Sequence, residues 1–162
     1  MSARAHYLIS TLGMQPHPEG GYFVEIHRSP VLVDPRDGRG ERAALTTIFF
    51  LLTAGEISRW HRVAGADEAW HFYEGAPLDL WTADEAFEAV TCRRLGPVGP
   101  DIVPVHVVRA GEWQAAATTG DYTLVGCSVG PGFDFADFAM LRDDPAAAAR
   151  LTASHPAAVR FI

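Results

Sequence analysis

The 162-residue chain contains no lysine and no asparagine, so all 13 of its basic residues are arginine. Without a lysine there is no ε-amino group for Schiff-base chemistry, for anchoring a pyridoxal cofactor or for a P-loop. Without an asparagine there is no acceptor for N-glycosylation. Cysteine is scarce: Cys92 and Cys127 form no CxxC pair, which excludes a disulfide framework and points to a reduced, cytoplasmic setting. Positive charge is thin as well. Twenty acidic residues give a formal net charge of -7, and no basic run exceeds Arg93–Arg94. Nucleic-acid and anionic-membrane surfaces are therefore disfavoured as partners. Long apolar runs are missing: Ile48 to Leu52 is far too short to span a bilayer. The opening MSARAHYLISTLGM, interrupted by His6, Ser10 and Thr11, does not read as a signal peptide. With 48% apolar residues, a soluble single domain over residues 1–162 is expected.

What is present is mostly β-type patterning. Tyr7, Leu8, Leu12 and Met14 recur at roughly helical spacing ahead of Gly13, which suggests one short opening helix. From Gly21 onward, short runs alternate with turn compositions such as Asp34-Pro-Arg-Asp-Gly38, Gly96-Pro-Val-Gly-Pro100 and Thr119-Gly-Asp121. The runs are Tyr22–His27, Thr46–Leu52, Ser58–Val63, Glu68–Glu74, Leu78–Thr82, Ala89–Arg94, Val103–Val108, Gly111–Ala116, Tyr122–Val129 and Phe135–Leu141. Short strands at this spacing indicate a sandwich or barrel. Asp144 followed by Pro145 marks the start of a second helix that must stop before Pro156.

The segment richest in chemistry is Gly55-Glu-Ile-Ser-Arg-Trp-His61-Arg-Val63-Ala-Gly-Ala-Asp-Glu68-Ala-Trp-His71-Phe-Tyr-Glu-Gly75. On a strand, His61 and Arg59 share one face, Trp60 and Arg62 the other. A hairpin brings His61 towards Glu68, and such a pair suits either metal ligation or proton transfer with the carboxylate orienting the ring. His71 has odd parity with Glu68 and belongs on the opposite face, barring a bulge.

This segment resembles the first cupin motif: Gly, five residues, His-x-His, a short gap, Glu, six residues, Gly. The match runs Gly55, His61-x-Val63, Glu68, Gly75, with Val63 in place of the second His. The second cupin motif resembles Arg109-Ala-Gly111-Glu-Trp113-Gln114, with Gln114 at its His position. With Gly20-Gly-Tyr-Phe23 and Gly126-Cys-Ser-Val-Gly-Pro-Gly-Phe133 added, the chain is identified as a member of cupin family five over about residues 8 to 142. The family is similar in fold to deoxysugar-nucleotide epimerases, whose Gly-Phe-Phe-x-Glu strand resembles Gly21-Tyr-Phe-Val-Glu25 and whose catalytic His resembles His61. The resemblance implies an all-β double-stranded β-helix, the jelly-roll barrel, with a short helix at each end. It also implies a homodimer sharing edge strands.

Three functions follow as expectations. The first is an isomerase or epimerase acting on a sugar-like or carboxylated small molecule, with His61 as general base and Glu25 or Glu68 setting its pKa. The second is a ligand-binding cupin without turnover. The third is a metal-dependent enzyme using His61, Glu68 and Gln114, with His71 as a further ligand. Two of the four usual ligands are replaced, so no cofactor is expected beyond a weakly held divalent metal. The related enzymes use a Tyr as the acid near the region that here reads Gly130-Pro-Gly-Phe-Asp-Phe135; no Tyr stands there, which weighs against an epimerase and leaves Asp134, Tyr73 or Tyr122 as the substitutes for the acid. The ligand-binding candidates are Phe23, Arg59, Trp70, Phe72, Gln114 and Phe133, an aromatic and polar lining suited to sugars and flat molecules. Each has a structural alternative: His61 as a satisfied core histidine, Arg59 in a surface ion pair, the aromatics as core. His17, before Pro18-Glu-Gly-Gly21, is read as exposed at a barrel mouth.

Overall fold

The computed structural model describes residues 1–162. Helix α1 (Ala3–Leu12) is followed by β1 (Gln15–Pro16), β2 (Tyr22–Arg28), β3 (Leu32–Val33), β4 (Arg42–Ala43), β5 (Thr46–Thr53), β6 (Ile57–Val63) and β7 (Asp67–Gly75). Then come β8 (Leu78–Ala83), β9 (Val90–Leu95), β10 (Ile102–Val103), β11 (Val105–Val108), β12 (Trp113–Thr118), β13 (Tyr122–Gly130), β14 (Phe138–Met140) and α2 (Pro145–Ser154).

Two six-stranded sheets face each other, in the orders β1-β2-β5-β13-β7-β11 and β10-β9-β8-β12-β6-β14. Consecutive strands β5, β6, β7 and β8 alternate between them, and β13 and β12 return to fill the gaps. This is the double-stranded β-helix that the patterning and the motifs imply. Two runs differ from expectation. Val103–Val108 is two strands in opposite sheets, because Pro104 has no N–H to continue a ladder. In Phe135–Leu141 only β14 is extended; Phe135–Asp137 coils into a 3-10 turn whose first N–H groups Asp134 caps. The two-residue strands β1, β3 and β4 are too short to leave a period-2 signature.

Strand alternation sends side chains to four apolar clusters, the smallest of them Val63, Ala66 and Val129. Inside the barrel, Phe50, Leu52, Trp70, Leu78, Leu80 and Val125 pack together. Outside the first sheet, Leu51 and Leu124 meet Ala5 and Leu8 of α1. Outside the second, Trp60, Phe87, Trp113, Leu141, Leu151 and Phe161 form a cluster capped by α2. Both helix starts follow from their caps: Ser2 accepts from the Ala5 N–H, and Asp144 accepts from the Ala147 N–H with Pro145 in the first turn. Both cysteines are free thiols, and no helix is long and apolar enough to cross a membrane.

Candidate functional site

Apolar side chains fill one part of the barrel, and the remainder is a cavity of about 260 Å³. Its walls are the inward faces of β2, β5, β6, β7 and β13, closed by aromatic rings from Phe133, Phe135 and Phe138. Ten of its 18 lining residues are hydrophobic, so the polar groups among them sit in poorly solvated surroundings.

The central polar group is Glu19, which arrives from the tip of the β1–β2 hairpin. The tip folds back because His17 N–H donates to Gly21 O and Gly20 N–H donates to His17 O. Gly20 and Gly21 both take positive φ, 112° and 70°, and a Cβ at Gly20 would collide with the Ile57 carbonyl. Only glycine lets the tip press against β6 this closely. Glu19 O accepts from the Arg59 N–H at 2.9 Å, and the Glu19 side chain enters the barrel. There Oε1 accepts from Ser58 Oγ at 2.8 Å, while Oε2 lies 3.1 Å from His61 Nε2 and 3.3 Å from His17 Nδ1.

His61 is held from its other side too. Its Nδ1 lies 2.7 Å from the Arg59 carbonyl, which can only accept, so Nδ1 carries the proton and Nε2 of the neutral ring is a lone pair facing Glu19. Burial dominates the electrostatics. It pushes the Glu19 carboxyl up to about 7, against the opposing pull of His17 and the Ser58 hydroxyl. It also holds both imidazoles below the ordinary histidine value, despite Glu68 near His61 and Glu19 near His17. Glu68 is raised by burial, which the charge of Glu19 reinforces, and the Cys127 thiol beside it is pushed well above its usual value. Burial thus disfavours fixed charge on this side of the cavity, and Glu19, raised to about 7, exchanges its proton near neutral pH.

Of the residues singled out in the sequence, His61, Glu68, Glu25, Phe23, Trp70 and Phe133 line the cavity. Glu25 is nonetheless not a partner of His61: it pairs with Arg28 at 2.7 Å, and the carboxylate touching the imidazole is Glu19. Arg59 does not line the cavity. The register of β6 against β12 shifts between His61 and Ser58, so Ser58 joins His61 inside and Arg59 leaves the shared face, its Nη1 donating to Glu19 O. Gln114 lies buried behind the lining, its Oε1 accepting from Trp70 Nε1 at 2.9 Å and its Nε2 donating to Glu68 Oε2 at 2.6 Å. It fixes the Glu68 carboxyl and presents nothing to a ligand. Phe72 packs against the inner apolar cluster instead of the cavity. His17, expected at an exposed mouth, is in the cavity wall with its side chain 7% exposed.

The cupin metal set does not fit these residues. Val63 offers no donor, Gln114 has both ends of its amide engaged, and His71 is absent from the lining that holds Glu68 and Trp70. No three His, Cys, Asp or Glu side chains converge as a metal centre.

Comparison with known proteins agrees with this architecture. A hypothetical protein from Leishmania major superposes with a TM-score of 0.80 at 30% identity, over 98% of this chain and 96% of that one. A protein from Shewanella oneidensis gives 0.81 at 32% identity, over 99% and 97%. The capsular polysaccharide assembling protein CapF from Staphylococcus aureus shares only the fold, with a TM-score of 0.58 at 14% identity over 78% of this chain and 31% of that one. No match was found among curated proteins. The family model described as cupin superfamily (DUF985) matches residues 6–141, and with it the chain belongs to that family.

Proposed function

We propose that the protein is a small-molecule enzyme of the isomerase type, which moves a proton on a sugar-like ligand carrying a carbonyl group. The observation that carries this reading is the contact between His61 Nε2 and Glu19 Oε2 inside an aromatic-walled cavity. Because His61 Nδ1 is committed to a carbonyl, the Nε2–Oε2 contact must contain one mobile proton, on the carboxyl in the neutral pair or on the ring in the ion pair. Such a unit takes up or releases a proton at little cost near neutral pH, which general acid–base catalysis needs. His61 belongs to the acid–base unit as the ring that shares a proton with Glu19, and Glu68 supplies a second carboxyl held by Gln114. Phe23, Trp70 and Phe133 offer stacking faces for a sugar-like ring, and Arg28 is the one cation in the lining.

The arrangement favours proton transfer on one face of the substrate over inversion. His17 and His61 both contact the same Glu19 oxygen, and no tyrosine lines the cavity to act from the opposite wall. Binding is tested by native mass spectrometry of freshly purified protein, followed by calorimetric titration of wild type and His61→Ala with uronates, keto sugars and nucleotide sugars. Wild type should bind at least one class, and His61→Ala should bind it at least tenfold more weakly. No binding by wild type, or equal binding by both, would contradict the reading.

We also infer a homodimer. The edge strand β11 exposes Val105 and Val107, next to Tyr73 of β7, and an unpaired apolar edge invites a second copy. Light scattering at micromolar concentration should give twice the chain mass; a monomer would contradict it.

A further inference from the structure

We propose that His17 is the catalytic residue that touches the reacting atoms of the substrate through its Nε2, with Glu19 positioning it and taking up its Nδ1 proton. This deepens the acid–base reading above and rests on it. The reason lies in which ring nitrogens are free. Both nitrogens of His61 are occupied, Nδ1 by Arg59 O and Nε2 by Glu19 Oε2. His17 spends only Nδ1, which faces Glu19 Oε2 at 3.3 Å and the Glu19 N–H at 3.4 Å. Its Nε2 meets no protein partner, yet the side chain is only 7% exposed and lines the cavity. That nitrogen opens onto the cavity and is free to meet whatever enters it.

The ring is also held in place. Phe23 lies edge-on at 4.6 Å between centroids, Phe50 and Phe138 lie edge-on at 6.0 Å, and Phe135 stacks at 6.4 Å. Four aromatic contacts around one imidazole fix its plane, which a group aligned with a carbon acid requires. Glu19 sets its tautomer. In the structure the Glu19 N–H donates to Nδ1, so Nε2 of the neutral ring carries the proton; an ionised Glu19 instead draws the proton to Nδ1, which gives up that long bond, donates to Oε2 and leaves Nε2 a base.

The step this allows is balanced. The substrate C–H next to a carbonyl breaks, its proton bonds to His17 Nε2, and the electron pair moves into the carbonyl to give an enolate. The Nδ1–H bond breaks as its proton passes to Glu19 Oε2. Reversal returns a proton to carbon on the same face. The substrate class is therefore a small molecule whose C–H is acidified by an adjacent carbonyl.

The first test needs no substrate. Diethyl pyrocarbonate acylates unprotonated imidazole nitrogens, and a peptide-mapped time course at pH 7 on the full chain reads each histidine separately. The exposed residues His6 and His27 serve as references. His17 should react at least tenfold faster than His61, and Glu19→Gln should shift the pH profile of His17 acylation without unfolding the protein. Equal or faster reaction at His61, an inert His17, or an unmoved profile would overturn the assignment. The second test follows deuterium entering carbonyl compounds from D₂O. Exchange lost in His17→Gln, with the circular dichroism of wild type retained, supports the proposal. Exchange that survives in His17→Gln but is lost in His61→Ala overturns it and leaves the acid–base reading standing. No exchange by wild type removes both.

Discussion

Trp60 and His61 are neighbours on β6 and equally inaccessible, 0% and 2% exposed, but the strand turns them to opposite sides. Trp60 enters the outer cluster under α2, where its Nε1–H donates to Ala158 O at 3.0 Å and the rest of the ring meets Phe87 and Phe161. His61 enters the barrel, where both nitrogens need polar partners and neighbouring carboxyls are held away from their ordinary titration range. The outer face gains stability from buried area, which any well-shaped apolar residue supplies. The inner face pays a desolvation cost at every ionisable group and recovers only part of it by pairing. That cost within reach of a cavity is what the proposed proton transfer would use, and stability is supplied by the other side of the same sheet.

The comparison predicts a graded series. Trp60→Ala should lose about 3–5 kcal/mol in urea denaturation, because a rigid cluster cannot close around so large a void. Asp137→Asn comes next. The Asp137 carboxyl accepts from Arg42 Nε and Nη2 and from Arg39 Nη1 at 2.8 to 3.0 Å, pinning the turn that bears Phe135 against the cavity. A loss of about 1–2 kcal/mol is expected, discounted for solvent at the arginines. The Arg42 hydrogen bond holds the Asp137 carboxyl below its ordinary value of 3.8, so this contribution is complete above that pH and disappears as pH falls below it. The gap between variant and wild type should close as pH falls below 3.8. A gap that persists would assign the loss to shape instead of charge.

His61→Ala should cost about 1 kcal/mol, since it leaves Glu19 short of one partner but removes a group whose burial was itself unfavourable. A loss matching that of Trp60→Ala would erase the distinction between the two faces. The pH-dependent effect is the sharpest. Glu19 is raised from 4.5 to about 7, so the folded state holds its proton more tightly than the unfolded chain. Its favourable contribution is full below 4.5 and is lost as pH rises through 7. Glu19→Gln cannot ionise and should therefore gain in melting temperature relative to wild type between pH 5 and 8. A difference that is flat across that range would contradict the raised carboxyl. Metal analysis of purified protein should find well under one ion per chain; one tightly held zinc, nickel or iron would mean that the ligand set has been misjudged.

Much of this architecture is legible in the sequence where period and punctuation act locally. The β runs, the Asp144–Pro145 helix start and the opposite faces of Trp60 and His61 all follow from side-chain alternation or cap chemistry. The site is half legible. His61 and Glu68 stand at motif spacing and do share a cavity. Glu19 escapes notice because Pro18-Glu-Gly-Gly21 reads as an ordinary turn, and the left-handed glycines that drive its carboxyl into the barrel leave no periodic signal. The one available hint was a doubled glycine beside a carboxylate and a histidine. Arg59 is misplaced by simple alternation because a single-residue register shift inside β6 has no glycine or proline to announce it. Gln114 at a histidine position suggests a group facing a ligand, whereas its amide is consumed in joining Trp70 to Glu68. That pairing depends on contacts 44 and 46 residues apart, which no local pattern encodes.

The central claim is that the inner face of β6 exists for proton transfer. Its most direct test is deuterium incorporation from D₂O into a panel of keto sugars, uronates and keto acids, read by NMR with wild type and His61→Ala side by side. The account predicts carbon-bound deuterium in at least one compound with wild type, and loss of at least nine-tenths of that rate in a His61→Ala protein that still melts cooperatively. A rate unchanged by His61→Ala, or no exchange above buffer in any compound, would contradict it.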